Sequence, residues 1–179
     1  MVGNFIADHV KGKQVLLYSE MIQKGIQMHR DIDQFTDHHP IVKQSKERLY
    51  PKYHKYAAVI VDMFYDHLLA RNWSDYSPIQ LRSFASSSYQ VLNAKAEQFP
   101  EKSRRFLYYM SKYDWLSDYA QIEGIGQALN GLAQRTRFES KMEEAIHDLQ
   151  SDYTLYKKEF DLFFPELCKY SSTWLSTHE

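Results

Sequence analysis

The chain has 179 residues, of which 44% are hydrophobic and 25% charged, a balance typical of a folded globular protein. Its 22 basic and 23 acidic residues leave a net charge of -1, which excludes the overall basic surface of most nucleic-acid-binding proteins. The single cysteine, Cys168, excludes an internal disulfide and is typical of a reducing compartment. No apolar run is long enough to span a membrane and no leader pattern is seen, so we expect a cytoplasmic protein.

The spacing of apolar residues predicts one helix after another along the whole chain. Helices are predicted over residues 20–35, 53–71, 79–98, 101–113 and 119–135. Thr136 and Glu139 fit a capping box, which would open a long helix that Pro165 ends or bends. The apolar stripe of that helix is expected to be core and consists of Phe138, Met142, Ala145, Leu149, Tyr153, Tyr156, Phe160 and Phe163. The sequence therefore predicts one all-α domain over residues 1–179, with about six to eight helices.

The stretch 57–69 is an almost unbroken apolar run that contains Asp62, Asp66 and His67. A helix that is hydrophobic on all sides is buried, so the pattern predicts that these three side chains enter the interior. Asp62 and Asp66 are four residues apart and would lie one turn above the other. Two ionised carboxylates there need a shared proton, an arginine or a metal cation. The simpler interpretation is that one of them caps a loop or pairs with an arginine.

Residues 28–40 form a second stretch, rich in histidine and aspartate. His29, Asp33 and Asp37 would follow one another at successive helical turns, and Arg30 would point to the side, where it could reach a phosphate. His39 precedes a proline and could simply mark the end of a helix. Each residue alone also has a solvated, structural interpretation.

Two separate helices thus present carboxylates and an imidazole one turn apart, the geometry from which helical bundles build metal sites. Mixed aspartate and histidine ligands favour a divalent ion such as manganese, iron, magnesium or zinc. Asp8 and Lys11 form a further pair, three residues apart, near the N-terminus. The chemistry that suits these groups best is metal-assisted hydrolysis of a phosphate ester.

Three blocks of the sequence carry a family resemblance. They are Gly3-Asn4-Phe5 with Asp8 and Lys11-Gly12, then Gly25-Ile26 with His29-Arg30, Ile32-Asp33, Phe35-Thr36-Asp37 and His39-Pro40, then Asp62 with Tyr65-Asp66-His67 and Trp73. Further matches continue through Trp115-Leu116, Tyr119, Gly124-Ile125, Leu129 and Arg135. In this combination the chain resembles the acyl carrier protein phosphodiesterase family. The resemblance implies an all-helical, manganese-dependent enzyme that cleaves the phosphodiester between 4′-phosphopantetheine and a serine of holo acyl carrier protein.

The family is regarded as an atypical relative of the HD phosphohydrolases, so the resemblance also implies an HD-phosphohydrolase-like fold. Here the pair reads Asp66-His67, in reverse order, and the His-Asp dipeptide of the chain is His147-Asp148 in the late helix. Family members also carry an apolar, histidine-containing segment before Gly-Asn-Phe, whereas Met1-Val2 precede it here. If that segment supplies a ligand, we expect an impaired enzyme.

The residues and the resemblance together give one predicted site. The metal ligands are His29, Asp33, Asp62 and Asp66, which would hold one or two divalent ions, manganese or else magnesium or iron. Asp8 and Asp37 are assigned as further ligands or as their neighbours. His67 or His39 would pass the proton to the leaving serine oxygen, and Lys11, Arg30 and Arg135 would neutralise the non-bridging oxygens.

Two other classes of protein remain open from the sequence. One is a metal phosphohydrolase of the same architecture that acts on a nucleotide or another small phosphate ester. The other is a non-catalytic helical binding protein in which the same groups form a structural ion-pair network. An acidic carrier protein would need a basic docking face, for which the sequence offers Lys43, Lys46, Arg48, Lys52 and Lys55.

Overall fold

A computed structural model describes residues 1–178, and within that range the fold is all-α, with ten helices and no strand. The helices are α1 (Val2–Ile6), α2 (Glu20–His38), α3 (Pro40–Tyr53), α4 (Ala57–Arg71), α5 (Leu81–Asn93), α6 (Glu101–Lys112), α7 (Trp115–Asp118), α8 (Ile122–Ala133), α9 (Ala145–Ser151) and α10 (Tyr153–Thr177). The predicted all-α class is confirmed. Of the described helices, none has both the length and the apolar character needed to cross a membrane.

The buried apolar residues form two clusters. The larger cluster draws on α3, α4, α8, α9 and α10 and includes Phe64, which is fully buried. The smaller cluster draws on α1, α2, α5 and α6. Helix α2 reaches both, because Ile26 belongs to the smaller cluster whereas Phe35 packs against the larger one. His29 and Asp33 lie on α2 between these two anchors, and so at the boundary between the clusters.

Helices α1 and α2 cross at a contact between two glycines. A Cβ atom on Gly3 would lie 2.1 Å from a backbone oxygen of α2 and 2.9 Å from the Cα atom of Gly25. No larger side chain fits there without a backbone shift. This close crossing brings the short 3-10 segment Ala7–His9 alongside α2, which places Asp8 beside His29.

Helix α4 is the predicted apolar helix, and it starts at Ala57 rather than at residue 53. His67 is buried as predicted, with 1% of its surface exposed. The prediction that Asp62 and Asp66 enter the interior is wrong, because both are exposed to solvent. The two aspartates share the one narrow stripe of α4 that does not face the core, since residues four apart lie on the same side of a helix.

The predicted capping box at Thr136 is wrong. Its Oγ1 hydroxyl lies 2.9 Å from the carbonyl oxygen of Ala133 and 2.7 Å from that of Phe138, and its one proton is shared between these two acceptors. Thr136 therefore closes the end of α8 instead of opening a new helix. Residues 134–141 form a loop in which Phe138 is exposed, and helical structure resumes at Met142.

The predicted break at Pro165 is also wrong, because α10 continues through it to Thr177. Pro165 lies on the exposed side of α10, where solvent can bond the carbonyl four residues earlier that the ring leaves without its usual donor. Helix α3, which the apolar spacing did not predict, likewise contains Pro51. The expected core stripe is confirmed at Met142, Ala145, Leu149, Tyr156, Phe160 and Phe163, all of which are buried.

Candidate metal centre and adjoining cleft

Asp8, His29 and Asp33 form a cluster that could hold a metal ion. The Nε2 atom of His29 lies 3.2 Å from Oδ1 of Asp8 and 3.2 Å from Oδ2 of Asp33. One ligand atom from each residue lies within 4.8 Å of the others. One imidazole nitrogen and two carboxylate oxygens are a donor set that manganese, iron and zinc all accept. The residues present therefore fit a divalent cation.

Asp62 and Asp66 of α4 were predicted as ligands too, but they do not belong to the group whose ligand atoms lie within 4.8 Å of one another. Burial raises the pKa of Asp62 to about 6, against the opposing positive charge of Lys46. The negative charges of Asp37 and Asp33 raise it further. Burial, followed by the charge of Asp62, raises the pKa of Asp66 to about 7. Water reaches both α4 carboxylates, but surrounding protein atoms replace much of their hydration, so their negative charge is poorly compensated by the protein itself.

The pKa of Asp33 is also set by opposing effects. Burial raises its pKa, the positive charge that His29 can carry lowers it, and the charges of Asp8 and Asp37 raise it again. A divalent cation within this cluster would offset the repulsion among all of these carboxylates.

Lys46 pairs with Asp37 at the edge of the candidate site. Its Nζ atom donates a hydrogen bond to Oδ1 of Asp37 at 2.7 Å. Asp37 thus forms an ion pair with Lys46 instead of joining the cluster around His29. The sequence assigned Lys46 to a docking face, and the structure places it at the edge of the candidate site.

A cleft of about 680 Å³ opens beside the cluster, at the boundary between the two apolar clusters of the core. Its acidic lining residues are Asp8, Asp66 and Asp118, and Arg135 supplies a positive charge. Four aromatic side chains also line the cleft, namely Phe106, Tyr113, Trp115 and Tyr119. The cleft therefore combines metal-ligating groups, a group that can bind an anion and a long apolar surface.

Of the three predicted anion-binding residues, Arg135 lies in the cleft. Arg30 instead donates from Nη2 to the carbonyl oxygen of Val10 at 2.9 Å. That bond fastens the segment after Asp8 to α2, so Arg30 helps to hold the first ligand in place. Lys11 lies exposed on the same segment.

His67 is held in the interior on the side of α4 away from the two aspartates. Its Nδ1 atom donates to the carbonyl oxygen of Tyr119 at 2.8 Å, and its Nε2 atom lies 3.2 Å from the hydroxyl of Tyr153. Because a carbonyl can only accept, Nδ1 carries the proton and Nε2 accepts from the tyrosine hydroxyl. Burial lowers the pKa of His67, which favours this neutral form.

His39 is also turned away from the cluster. Its ring packs 4.9 Å from that of Phe163 and 5.4 Å from that of Phe35. Its Nε2 atom lies 3.2 Å from Oε2 of Glu166 on α10. The structure therefore brings neither His39 nor His67 to the acidic cluster.

The His147-Asp148 dipeptide lies apart from the candidate site as well. Oδ2 of Asp148 accepts hydrogen bonds from the hydroxyl of Tyr53 and, at 3.0 Å, from Nζ of Lys52. Neither member of the dipeptide lines the cleft. Asp148 thus has a structural role between α9 and α3.

The basic residues of α3 are largely engaged within the protein. Arg48 binds the buried carboxylate of Glu159 through two nitrogens, and Lys52 lies 3.2 Å from Oε2 of Glu144 as well as contacting Asp148. Lys43 lies 3.8 Å from Oε1 of Glu47. The predicted docking face is therefore mostly neutralised by neighbouring carboxylates.

The far wall of the cleft was missed from the residues alone. Asp118 and Trp115 belong to α7, which meets α8 at Gly124. A Cβ atom on Gly124 would lie 2.1 Å from the carbonyl oxygen of Asp118, so the wall depends on glycine at this contact. The available signal was the density of aromatic residues over positions 106–115, of which Phe106, Tyr108, Tyr109 and Tyr113 are exposed in the structure. An exposed apolar group of this kind often marks a binding surface.

The comparisons with known proteins identify one family. The family model described as "Acyl carrier protein phosphodiesterase" matches residues 1–167. The acyl carrier protein phosphodiesterases of Enterobacter sp. (strain 638) and Photorhabdus laumondii are each 30% identical to the chain over 166 residues. These alignments cover 92% of the chain and 86% and 84% of the respective relatives. The enzyme of the same name from Pectobacterium atrosepticum is 26% identical over 97% of the chain and 90% of its own length.

No solved structure is significantly similar to the chain, so the HD-phosphohydrolase-like fold stays a prediction. The family match covers every residue of the acidic cluster and the whole lining of the cleft. The chain therefore belongs to the acyl carrier protein phosphodiesterase family of hydrolases.

Proposed function

We propose that this protein is a metal-dependent phosphodiesterase that releases 4′-phosphopantetheine from holo acyl carrier protein. One observation carries the proposal, namely that the cluster of Asp8, His29 and Asp33 adjoins a cleft that also contains Asp66 and Arg135. The names of the relatives supply the substrate.

The metal would be held by Asp8, His29 and Asp33, and Asp62 and Asp66 would supply further carboxylates. When bound, a manganese or similar divalent ion would draw charge from the phosphodiester oxygens and lower the pKa of a coordinated water. The carboxylates alone would repel the phosphodiester, because like charges at close range are unfavourable in a cleft of low polarity.

The cleft suits the prosthetic arm of the proposed substrate. Its volume of about 680 Å³ is within the usual range for sites that take up a molecule of this size. The phosphate would lie near Asp8 and Asp66, with Arg135 donating to a non-bridging oxygen. The amide-containing arm would run along the aromatic surface formed by Phe106 and Trp115.

In this proposal neither His67 nor His39 transfers the proton. His67 and His39 each have other partners and do not face the cleft. The cleft is open to water, which can return the proton to the leaving serine oxygen. The chemistry that this account assigns to side chains is therefore metal binding and charge neutralisation.

The test is an assay on purified holo carrier protein, with loss of the phosphopantetheine mass followed by mass spectrometry. We expect release in manganese and none in chelator. Asp33→Asn should lower the rate by on the order of 100-fold or more, since it removes a ligand charge. Asp31→Asn is the matched control, because Asp31 lies on the same helix but accepts hydrogen bonds from Gln27 and Trp174.

Equal rates in chelator and manganese would contradict the metal role. Cleavage of small phosphodiesters without release from holo carrier protein would contradict the substrate.

A further inference from the structure

Helix α6 carries a group of cations that the protein does not neutralise. Lys102, Arg104, Arg105 and Lys112 are all exposed. None of them forms an ion pair with any side chain among residues 1–178. The helix contains one acidic residue, Glu101, at its first position. This differs from α3, whose cations are mostly engaged.

The cations lie beside the mouth of the cleft. Phe106 of α6 and Tyr113, just beyond its end, line the cleft. Lys102 precedes Phe106 by four residues and so lies on the same side of the helix, one turn away. Arg105 and Lys112 are seven residues apart, so they lie two turns apart on one side of α6. That side is further from the cleft than the side that carries Lys102 and Phe106. The positive charge thus borders the entrance.

The same surface exposes an unusual number of aromatic rings. Those with more than a third of their surface exposed are Phe106, Tyr108, Tyr109 and Tyr113. The rings of Tyr109 and Tyr113 stack in parallel planes with centroids 6.4 Å apart. Aromatic side chains and arginine are the residues most enriched at protein interfaces, and an exposed group of them is rarely without a partner.

Helix α6 is also linked directly to the metal-ligating segment. The Nδ1 atom of His9 lies 2.8 Å from the Oγ atom of Ser103, which is fully buried on the inner side of α6. His9 follows Asp8 in the chain. A partner seated on the outer side of α6 would therefore lie close to the candidate metal centre.

We propose that the outer side of α6, formed by Lys102, Arg105, Phe106, Tyr109, Lys112 and Tyr113, is the docking surface for the acyl carrier protein. This inference rests on the proposed function. The carrier protein is acidic, and complementary charge orients an encounter before the arm enters the cleft. This docking surface on α6 takes the place of the one expected from the sequence, which was formed mainly by cations of α3.

The test compares two double variants with equal changes of charge. Arg105→Glu with Lys112→Glu, the α6 variant, reverses two charges of the α6 surface. Lys43→Glu with Lys55→Glu, the α3 variant, reverses two exposed charges of the docking face expected from the sequence, one on α3 and one just beyond its end. We expect the first to raise KM for holo carrier protein by about tenfold or more while kcat changes less than about twofold. The second should change KM by less than about twofold. The effect of the first should shrink at about 0.5 M salt, where charges at exposed sites are screened.

A second readout separates this inference from the proposed function. Binding of fluorescently labelled apo carrier protein, which lacks the arm, reports docking without catalysis. Weaker binding by the α6 variant than by the α3 variant supports the inference even if the wild type releases nothing. Equal KM values and equal binding for the two variants, or a loss confined to the α3 variant, would overturn it. In that case, release by the wild type would leave the proposed function standing.

Discussion

Replacing Asp66 by asparagine is the sharpest test of whether the metal site extends onto α4, because it keeps the shape of the side chain and removes one negative charge. In the folded protein the pKa of Asp66 is about 7, against an ordinary value of 3.8. At about 1.4 kcal/mol for each pH unit between these values, the ionised form is disfavoured by at most about 4 kcal/mol. Because water reaches the carboxylate, screening reduces this to about 1–2 kcal/mol.

The sign of the pH dependence follows from the raised pKa. The folded state binds the proton of Asp66 more tightly than the unfolded state does, so raising the pH favours unfolding. Without metal, the wild type should lose this stability as the pH rises from about 4 to about 7. Asparagine does not titrate. In chelator, Asp66→Asn should therefore match the wild type near pH 4 and exceed it at pH 8 by about 1–2 kcal/mol, or about 3–6 °C in Tm.

Manganese should reverse the order of the two proteins at pH 8. The wild type gains stability from each bound ion by mass action, and the variant gains less because it has lost a ligand charge. Thermal melts followed by circular dichroism give the Tm of the wild type and of the variant in chelator and in manganese, at pH 4 and at pH 8. Asp31→Asn serves again as the control and should respond to manganese as the wild type does.

One result would refute this reasoning. If the carboxylate of Asp66 belonged to a structural ion-pair network, its loss would leave a buried partner without charge compensation. The variant would then lose about 3–5 kcal/mol equally in chelator and in manganese. Asp66 would not be a metal ligand, and the extension of the site onto α4 would be wrong.

Four further predictions test other parts of the structure. Gly3→Ala forces a Cβ atom against backbone at 2.1 Å, so thermal melts should show a loss of about 1–3 kcal/mol and manganese titration a weaker affinity. Glu159→Gln leaves Arg48 without its buried partner and should cost about 3 kcal/mol while manganese affinity is kept, which denaturant unfolding and titration would show. His39→Gln should change kcat by less than about twofold, and a fall of about 100-fold would restore its role in proton transfer. Arg135→Met should lower kcat/KM for holo carrier protein by about 100-fold, and unchanged kinetics would remove it from the site.

The sequence predicted the parts of the site that depend on local spacing. His29 and Asp33 are four residues apart, and any helix brings such residues together. The contact between Asp8 and His29 spans 21 residues and depends on the crossing of Gly3 over Gly25, which no periodicity reveals. For that reason the sequence could not decide between a ligand and a neighbouring role for Asp8.

The sequence could not predict which side chains of a helix face the site, because this depends on the rotation of the helix about its axis. Asp66 and His67 are adjacent in α4, yet the carboxylate faces the cleft and the imidazole faces Tyr153. Successive residues of a helix point about 100° apart, and here that rotation carries the imidazole away from the cleft that the carboxylate lines. The prediction of a docking face on α3 was wrong for another reason. Glu159, the partner of Arg48, lies 111 residues further along the chain, so the sequence does not show that this cation is paired.

The most direct measurement of the central claim is anomalous X-ray diffraction from crystals of the protein grown with manganese. The account predicts an anomalous peak at coordination distance, about 2.2 Å, from side-chain atoms of Asp8, His29 and Asp33. The peak should be absent from crystals of Asp33→Asn grown in the same way. A wild-type crystal without a peak at these three residues, or with its peak at another group of carboxylates, would contradict the account.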